Sequence, residues 1–139
     1  MMKYPAVFSA DQDGGFVVTF RDIPEAITQG DDETEAMAMA RDVLLEAMRV
    51  YFDEKRTVPS PSKARPGERL VDLPLSARAK ILLLNEMLAK KIGPSALARM
   101  MDTTPQEINR LIDLNHTTKI DRIGDAMSAL GKQLELIAA

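Results

Sequence analysis

The sequence contains no cysteine and no tryptophan, one histidine, two tyrosines and four phenylalanines in 139 residues. Without cysteine there is no disulfide framework, no thiol nucleophile, and no thiolate ligand for zinc or an iron–sulfur cluster. The single histidine, His116, leaves no multi-histidine metal site. Long apolar runs are also missing. The longest is Ala36 to Ala40, far short of the ~20 residues a membrane-spanning helix needs. Met2-Lys3-Tyr4-Pro5 leads into no apolar export core, so a cytoplasmic location without membrane contact is expected. No cofactor is expected either.

What is present is an ordinary globular composition, 45% hydrophobic and 28% charged. A chain of this length buries about two thirds of its unfolded surface without staples. It forms one domain or two small ones. The net charge is −3, but its distribution is uneven. Residues 1–54 carry −8 and residues 55–139 carry +5. An acidic half joined to a basic half suggests two tasks.

Residues 3–9 and 16–20 are short runs rich in β-branched and aromatic side chains. Asp11-Gln12-Asp13-Gly14-Gly15 between them supplies the positive φ of a tight hairpin. Ile27 to Gly30 predicts a third short strand. Asp31 or Asp32 is placed to cap a helix, with Glu33 and Glu35 in its first turn. Ala36, Ala40, Val43, Leu44, Ala47 and Tyr51 recur at helical spacing to about residue 53 and predict a core-facing stripe. Lys55 to Gly67 holds three prolines and reads as an extended connection. Arg69 to Leu73 alternates and predicts a fourth strand returning to the first sheet.

That return places the domain boundary near Pro74: residues 1–74 form one domain and 75–139 another. With this cut the charges become −5 and +2. The second domain reads as helical. Ser76 caps a helix through Lys91, with Ile81, Leu84 and Leu88 on one face and Gly93 closing it. Ser95 opens a helix over 96–101, and Pro105 starts another through Asp113. A last helix covers 121–130 and ends at Gly131. Gln133 to Ile137 alternates and predicts a short terminal strand. The fold class is α+β.

Residues 95–111 have the layout of a helix-turn-helix. Leu97 and Ala98 face inward, Ile108 and Leu111 anchor the second helix, and Gln106, Glu107, Asn109 and Arg110 face out. Such a unit inserts its second helix into the major groove, where Gln and Asn bond adenine and Arg bonds guanine. Ser95 and Thr104, near the two helix starts, and Lys119 in the following loop are candidate DNA contacts, Ser95 and Lys119 for phosphate. The turn residue is Asp102 where glycine is common. Asp tolerates the left-handed conformation better than most residues. The alternative is a plain helical bundle whose polar face is only solvated. With so small a positive excess, one copy binds DNA weakly, so a homodimer or higher homo-oligomer is the expected reader. His116 has no evident orienting partner and is not expected to be catalytic.

Asp13-Gly-Gly-Phe-Val-Val-Thr-Phe-Arg-Asp-Ile-Pro-Glu-Ala26, Thr28-Gln-Gly-Asp31 and a helix rich in Glu and Ala resemble the N-terminal domain of HicB antitoxins. His116-Thr-Thr-Lys-Ile-Asp121, after the helix-turn-helix, resembles the HicB class with that C-terminal domain. The resemblance covers nearly the whole chain. It implies a partial RNase H-like N-terminal domain, an antiparallel sheet with a helix, that binds the toxin HicA. HicA is a small basic mRNA interferase with a double-stranded-RNA-binding-like fold and a catalytic histidine. It also implies a C-terminal domain that binds operator DNA and represses its own operon. The family pattern often has Gly after the proline of the Asp-x-Pro segment, where this chain has Glu25.

The acidic first half fits a basic RNA-binding partner independently. Asp22 and Glu25 are the candidate toxin-binding residues. Two other functions fit parts of the pattern. One is a stand-alone helix-turn-helix transcription regulator with a ligand-sensing N-terminal domain. The other is an active RNase H-like nuclease, which requires carboxylates converging on two metals. The first strand carries none, so no enzyme activity is expected.

Overall fold

The computed structural model describes residues 2–139. Two compact units make up the chain. The first comprises the chain up to Val50 together with Val58–Pro74, and the second comprises Tyr51–Thr57 with Leu75–Ala139. The fold is α+β.

In the first unit β1 (Lys3–Ala10), β2 (Phe16–Phe20), β3 (Ile27–Gly30) and β4 (Arg69–Asp72) form one antiparallel sheet in the order β3-β2-β1-β4. The hairpin closes at Asp11–Gly15, where Gly14 and Gly15 both have positive φ. β4 returns across the sequence to pair with β1, with Tyr4 opposite Val71 and Ala6 opposite Arg69. The expected fourth strand is therefore present in the first sheet.

Helix α1 (Glu33–Glu54) begins where the Asp32 carboxylate accepts from the Glu35 backbone N–H at 2.8 Å. Glu35 reaches back to the backbone N–H of Asp31. The first bond caps the helix, and the second ties the residue before the cap to the same first turn. Ala36, Ala40, Leu44 and Ala47 of the stripe are buried, and Val43 is half-buried. Ala6, Val18 and Phe20, on one face of the sheet, are buried as well. A β-carbon at Gly30 would stand 2.4 Å from the Ala36 backbone nitrogen. Glycine is the residue that lets β3 and α1 approach this closely.

The proline-rich segment differs from a free connection. Val58 is buried. The Tyr4 hydroxyl donates to the Pro59 carbonyl at 2.7 Å. Ser62 donates its backbone N–H and its hydroxyl to the Asp22 carboxylate at 2.7 and 2.5 Å. Arg21 grips Glu68 with Nε and Nη2, each at 2.9 Å. The segment has no regular structure, yet side chains from β1 and the 21–26 turn hold it at several points. Partners 40 to 55 residues away are invisible to a local sequence pattern.

The second unit holds α2 (Leu75–Lys90), α3 (Pro94–Met100), α4 (Pro105–Leu111) and α5 (Ile120–Ala129). α3 packs on α4, and α5 packs on α2 and α3. Ile81, Leu84, Leu97, Ile108, Leu111 and Ile123 form its core, all essentially inaccessible. Ala77, Ala79, Leu83 and Met87 are buried as well, so α2 is enclosed on more than the single face the sequence suggested, and Leu88 is only half-buried.

Several expected boundaries move. The αL residue after α2 is Lys91, at φ 55°, rather than Gly93, which precedes α3 with φ −86°. Pro94 is the first residue of α3, so Ser95 lies inside its first turn instead of opening it. Proline at the first helical position loses no hydrogen bond, which favours this earlier start. The expected terminal strand does not form: residues 132–139 have no regular secondary structure and pair with no described strand. A strand needs a neighbour to satisfy its backbone, and within one chain none lies beside it.

Four helices end alike. Just beyond α1, α2, α3 and α5 a backbone N–H bonds back to the carbonyl five residues earlier, as in Arg56 to Tyr51, Ile92 to Met87, Thr103 to Ala98 and Lys132 to Met127. This Schellman pattern requires a left-handed residue. It is Gly131 after α5, but Lys55, Lys91 and Asp102 after the others, all with φ near +54°. The expected left-handed Asp102 is thus observed.

Candidate functional site

Two surfaces carry the sequence-derived candidates. In the second unit, α3, a short turn and α4 form a helix, turn and helix. Leu97, Ala98, Ile108 and Leu111 are buried at 0–1% exposure, which fixes α4 through one side. Thr104 precedes α4, and its hydroxyl accepts from the Glu107 backbone N–H at 3.2 Å. Its side chain is therefore already engaged as a helix cap. Gln106, Asn109 and Arg110 are exposed, and Glu107 is half-buried. The Arg110 guanidinium pairs with the Glu107 carboxylate at 3.0 Å, one turn apart on the same helix. Glu107 therefore restrains Arg110 and offsets its charge. Ser95 and Lys119 are exposed, Ser95 in the first turn of α3 and Lys119 immediately before α5.

A residue not singled out from the sequence organises this surface. Lys80 on α2 is 2% exposed. Its ammonium donates to the backbone carbonyls of Arg110 at 3.2 Å, Asp113 at 2.7 Å and His116 at 2.6 Å. Three donors thus meet three acceptors, as a buried cation requires. Burial pulls the Lys80 pKa below its ordinary value, and the Asp113 carboxylate opposes that shift. The lysine ties the end of α4 to the loop that follows. His116 takes part through Nδ1, 3.1 Å from the Thr118 hydroxyl, and Thr118 in turn donates to the Arg110 carbonyl. Its observed contacts belong to loop structure. A sequence signal for Lys80 existed: it stands three residues after Ala77, four before Leu84 and seven before Met87, in register with buried positions.

In the first unit, Asp22 and Glu25 sit in the turn after β2. Glu25 is exposed. Asp22 is largely enclosed, and both its oxygens bond Ser62. The structure thus gives these two acids different exposure: Asp22 is largely enclosed and holds the proline-rich segment, and Glu25 is exposed. Nearby, Glu68 accepts from Arg21 and from the Arg65 backbone N–H. Hydrogen bonding to Arg21 is the main reason its carboxyl is pushed down to about 2, with the Arg65 amide second. The same pairing raises the Arg21 pKa. Among the described residues, no group of three or more histidine, cysteine or acidic side chains is placed to hold a metal ion. No described helix is long and apolar enough to cross a membrane.

The chain thus comprises a small sheet unit of acidic net charge and a helical unit that presents a polar helix. Comparison with known proteins gives the family. The family described as HicB_like antitoxin of bacterial toxin–antitoxin systems matches residues 3–82. The curated relative named Antitoxin HicB 2 from Photorhabdus laumondii is 50% identical over 137 residues, covering 99% of this chain and 96% of that protein. Antitoxin HicB from Escherichia coli K12 is 43% identical over 136 residues, covering 98% and 99%. A relative named Antitoxin HicB from Pseudomonas fluorescens is 28% identical over 127 residues. The chain belongs to the HicB antitoxin family, whose members are regulatory proteins of toxin–antitoxin systems rather than enzymes.

Proposed function

We propose that this antitoxin neutralises a HicA-like mRNA interferase through its first unit and represses its own operon through its second. The observation that carries the DNA half is the exposed row Gln106, Asn109 and Arg110 on a helix anchored by Ile108 and Leu111. These side chains have the donor and acceptor geometry that reads adenine and guanine in the major groove. Glu107 positions Arg110, Thr104 fixes the helix start, and Ser95 and Lys119 reach phosphates on either side. A homodimer or higher homo-oligomer supplies the second reading helix.

The toxin half is supported by charge. Residues 1–74 carry −5, and Glu25 with the exposed acids of α1 presents carboxylates to a basic, RNA-binding partner. Asp22 acts in this reading by shaping the turn that displays Glu25.

The test separates the two surfaces. Arg110→Ala is expected to weaken binding to the DNA upstream of its own operon by ~1–3 kcal/mol. Neutralisation of the co-expressed toxin stays at the parent level. Binding to that DNA also falls as salt is added. Unchanged operator affinity in a folded Arg110→Ala protein contradicts the assignment of α4 as the reading helix.

A further inference from the structure

Two side chains on the outer side of α4 are joined to each other before any DNA is present. The Glu107 carboxylate and the Arg110 guanidinium pair at 3.0 Å, with 35% and 57% of their side chains exposed. Each residue is also held at its backbone. The Glu107 N–H donates to the Thr104 hydroxyl at 3.2 Å. The Arg110 carbonyl accepts from the Lys80 ammonium at 3.2 Å and from the Thr118 hydroxyl at 3.4 Å. Buried Ile108 and Leu111 pin the helix from its other side. Groups held in this way lose little freedom when they meet a ligand.

We propose that Glu107 and Arg110 act as one reading element for a single G·C base pair, with Glu107 setting its selectivity. The major-groove edge of a G·C pair presents two acceptors, guanine N7 and O6, and beside them one donor, the cytosine N4 amino group. The ion pair offers the matching set: guanidinium N–H groups for the two acceptors and a carboxylate oxygen for the amino group. An A·T pair inverts two of these positions. Adenine N6 donates where guanine O6 accepts, and thymine O4 accepts where cytosine N4 donates. The guanidinium then faces a donor and the carboxylate faces an acceptor, and both contacts are repulsive. Arginine alone tolerates such a site, because it also binds any phosphate within reach. A carboxylate among phosphates weakens binding to every DNA, so what Glu107 contributes is discrimination. This role rests on α4 being the DNA-contacting helix, as proposed above.

The test titrates the full chain, by fluorescence anisotropy, with the DNA upstream of its own operon. It also uses that DNA with each G·C pair replaced in turn by A·T, and duplexes of unrelated sequence. The parent is expected to lose about 10-fold or more in affinity at one G·C pair for each bound α4. In Glu107→Gln that penalty largely disappears at the same pair, while affinity for unrelated duplexes rises. Arg110, released from its partner, turns to phosphate, so the log–log salt dependence on unrelated DNA steepens by about one unit. Arg110→Lys keeps the charge but loses the planar fork, and the preference at that same pair is lost. Far-UV circular dichroism of both variants matches the parent, since neither side chain belongs to the core. A Glu107→Gln protein that discriminates as the parent does, or variants whose lost preferences fall at different base pairs, overturns the proposal. A parent that binds the upstream DNA no better than unrelated duplexes overturns the reading of α4 itself, and this role with it.

Discussion

Asp102 and Lys91 hold left-handed conformations that side chains resist. A β-carbon in that region costs roughly 1 kcal/mol or more, less for Asp than for Lys. Lys91→Gly is expected to raise the stability of the second unit by about 0.5–1 kcal/mol, and Asp102→Gly by less. Chemical denaturation checks both; destabilisation by Lys91→Gly contradicts the strain argument. Lys80 is the opposite case. Its three carbonyl bonds are buried and satisfied. Lys80→Met removes one buried donor from each of those three carbonyls and is expected to cost about 2–4 kcal/mol. The loss appears as a lowered Tm of the second unit, and operator binding weakens because the end of α4 and its loop lose their common anchor. A Lys80→Met protein as stable as the parent removes Lys80 from this role.

At the scale of elements, legibility followed the range of the cause. The hairpin, the capped α1 and the alternating β4 have causes within a few residues, and the structure contains all three. The start of α3 shifted to Pro94 because two cap candidates, Gly93 and Ser95, flank the proline, and local pattern alone does not rank them. The terminal strand failed because pairing is a property of two segments. The proline-rich stretch hid its anchors for the same reason: Tyr4, Arg21 and Asp22 act on it from more than 35 residues away. The partner of one of these anchors, Arg21, has a pH signature. Glu68 titrates near 2 in the folded protein against an ordinary 4.5, because Arg21 and the Arg65 amide hold its charged form. A depressed carboxyl favours the folded state above the unfolded pKa, and that contribution disappears as the pH falls. The Glu68 contribution is therefore complete above about pH 4.5 and is lost toward pH 2. Asp72, lowered chiefly by its bond from Arg41, acts in the same direction. Stability measured across that window is expected to decline less steeply in Glu68→Gln than in the parent; identical slopes contradict the assignment.

For the whole molecule, the small net charge is a cancellation. A sheet unit with an excess of acids is joined to a helical unit with a small excess of bases. Neither charge is large enough to specify a partner. The candidate site was legible where it depends on helix periodicity, as at Ile108, Leu111 and the exposed row between them. It was hidden where a buried lysine or an ion pair modifies that row, as Lys80 and Glu107 do. Toxin neutralisation is the central claim of the proposed function, and growth of cells expressing the partner toxin measures it directly. Co-expression of this chain with the small basic toxin of its own operon is expected to restore growth, with the two proteins co-purifying and dissociating as salt is raised. Persistent toxicity, with both proteins expressed and no complex recovered, contradicts the antitoxin function.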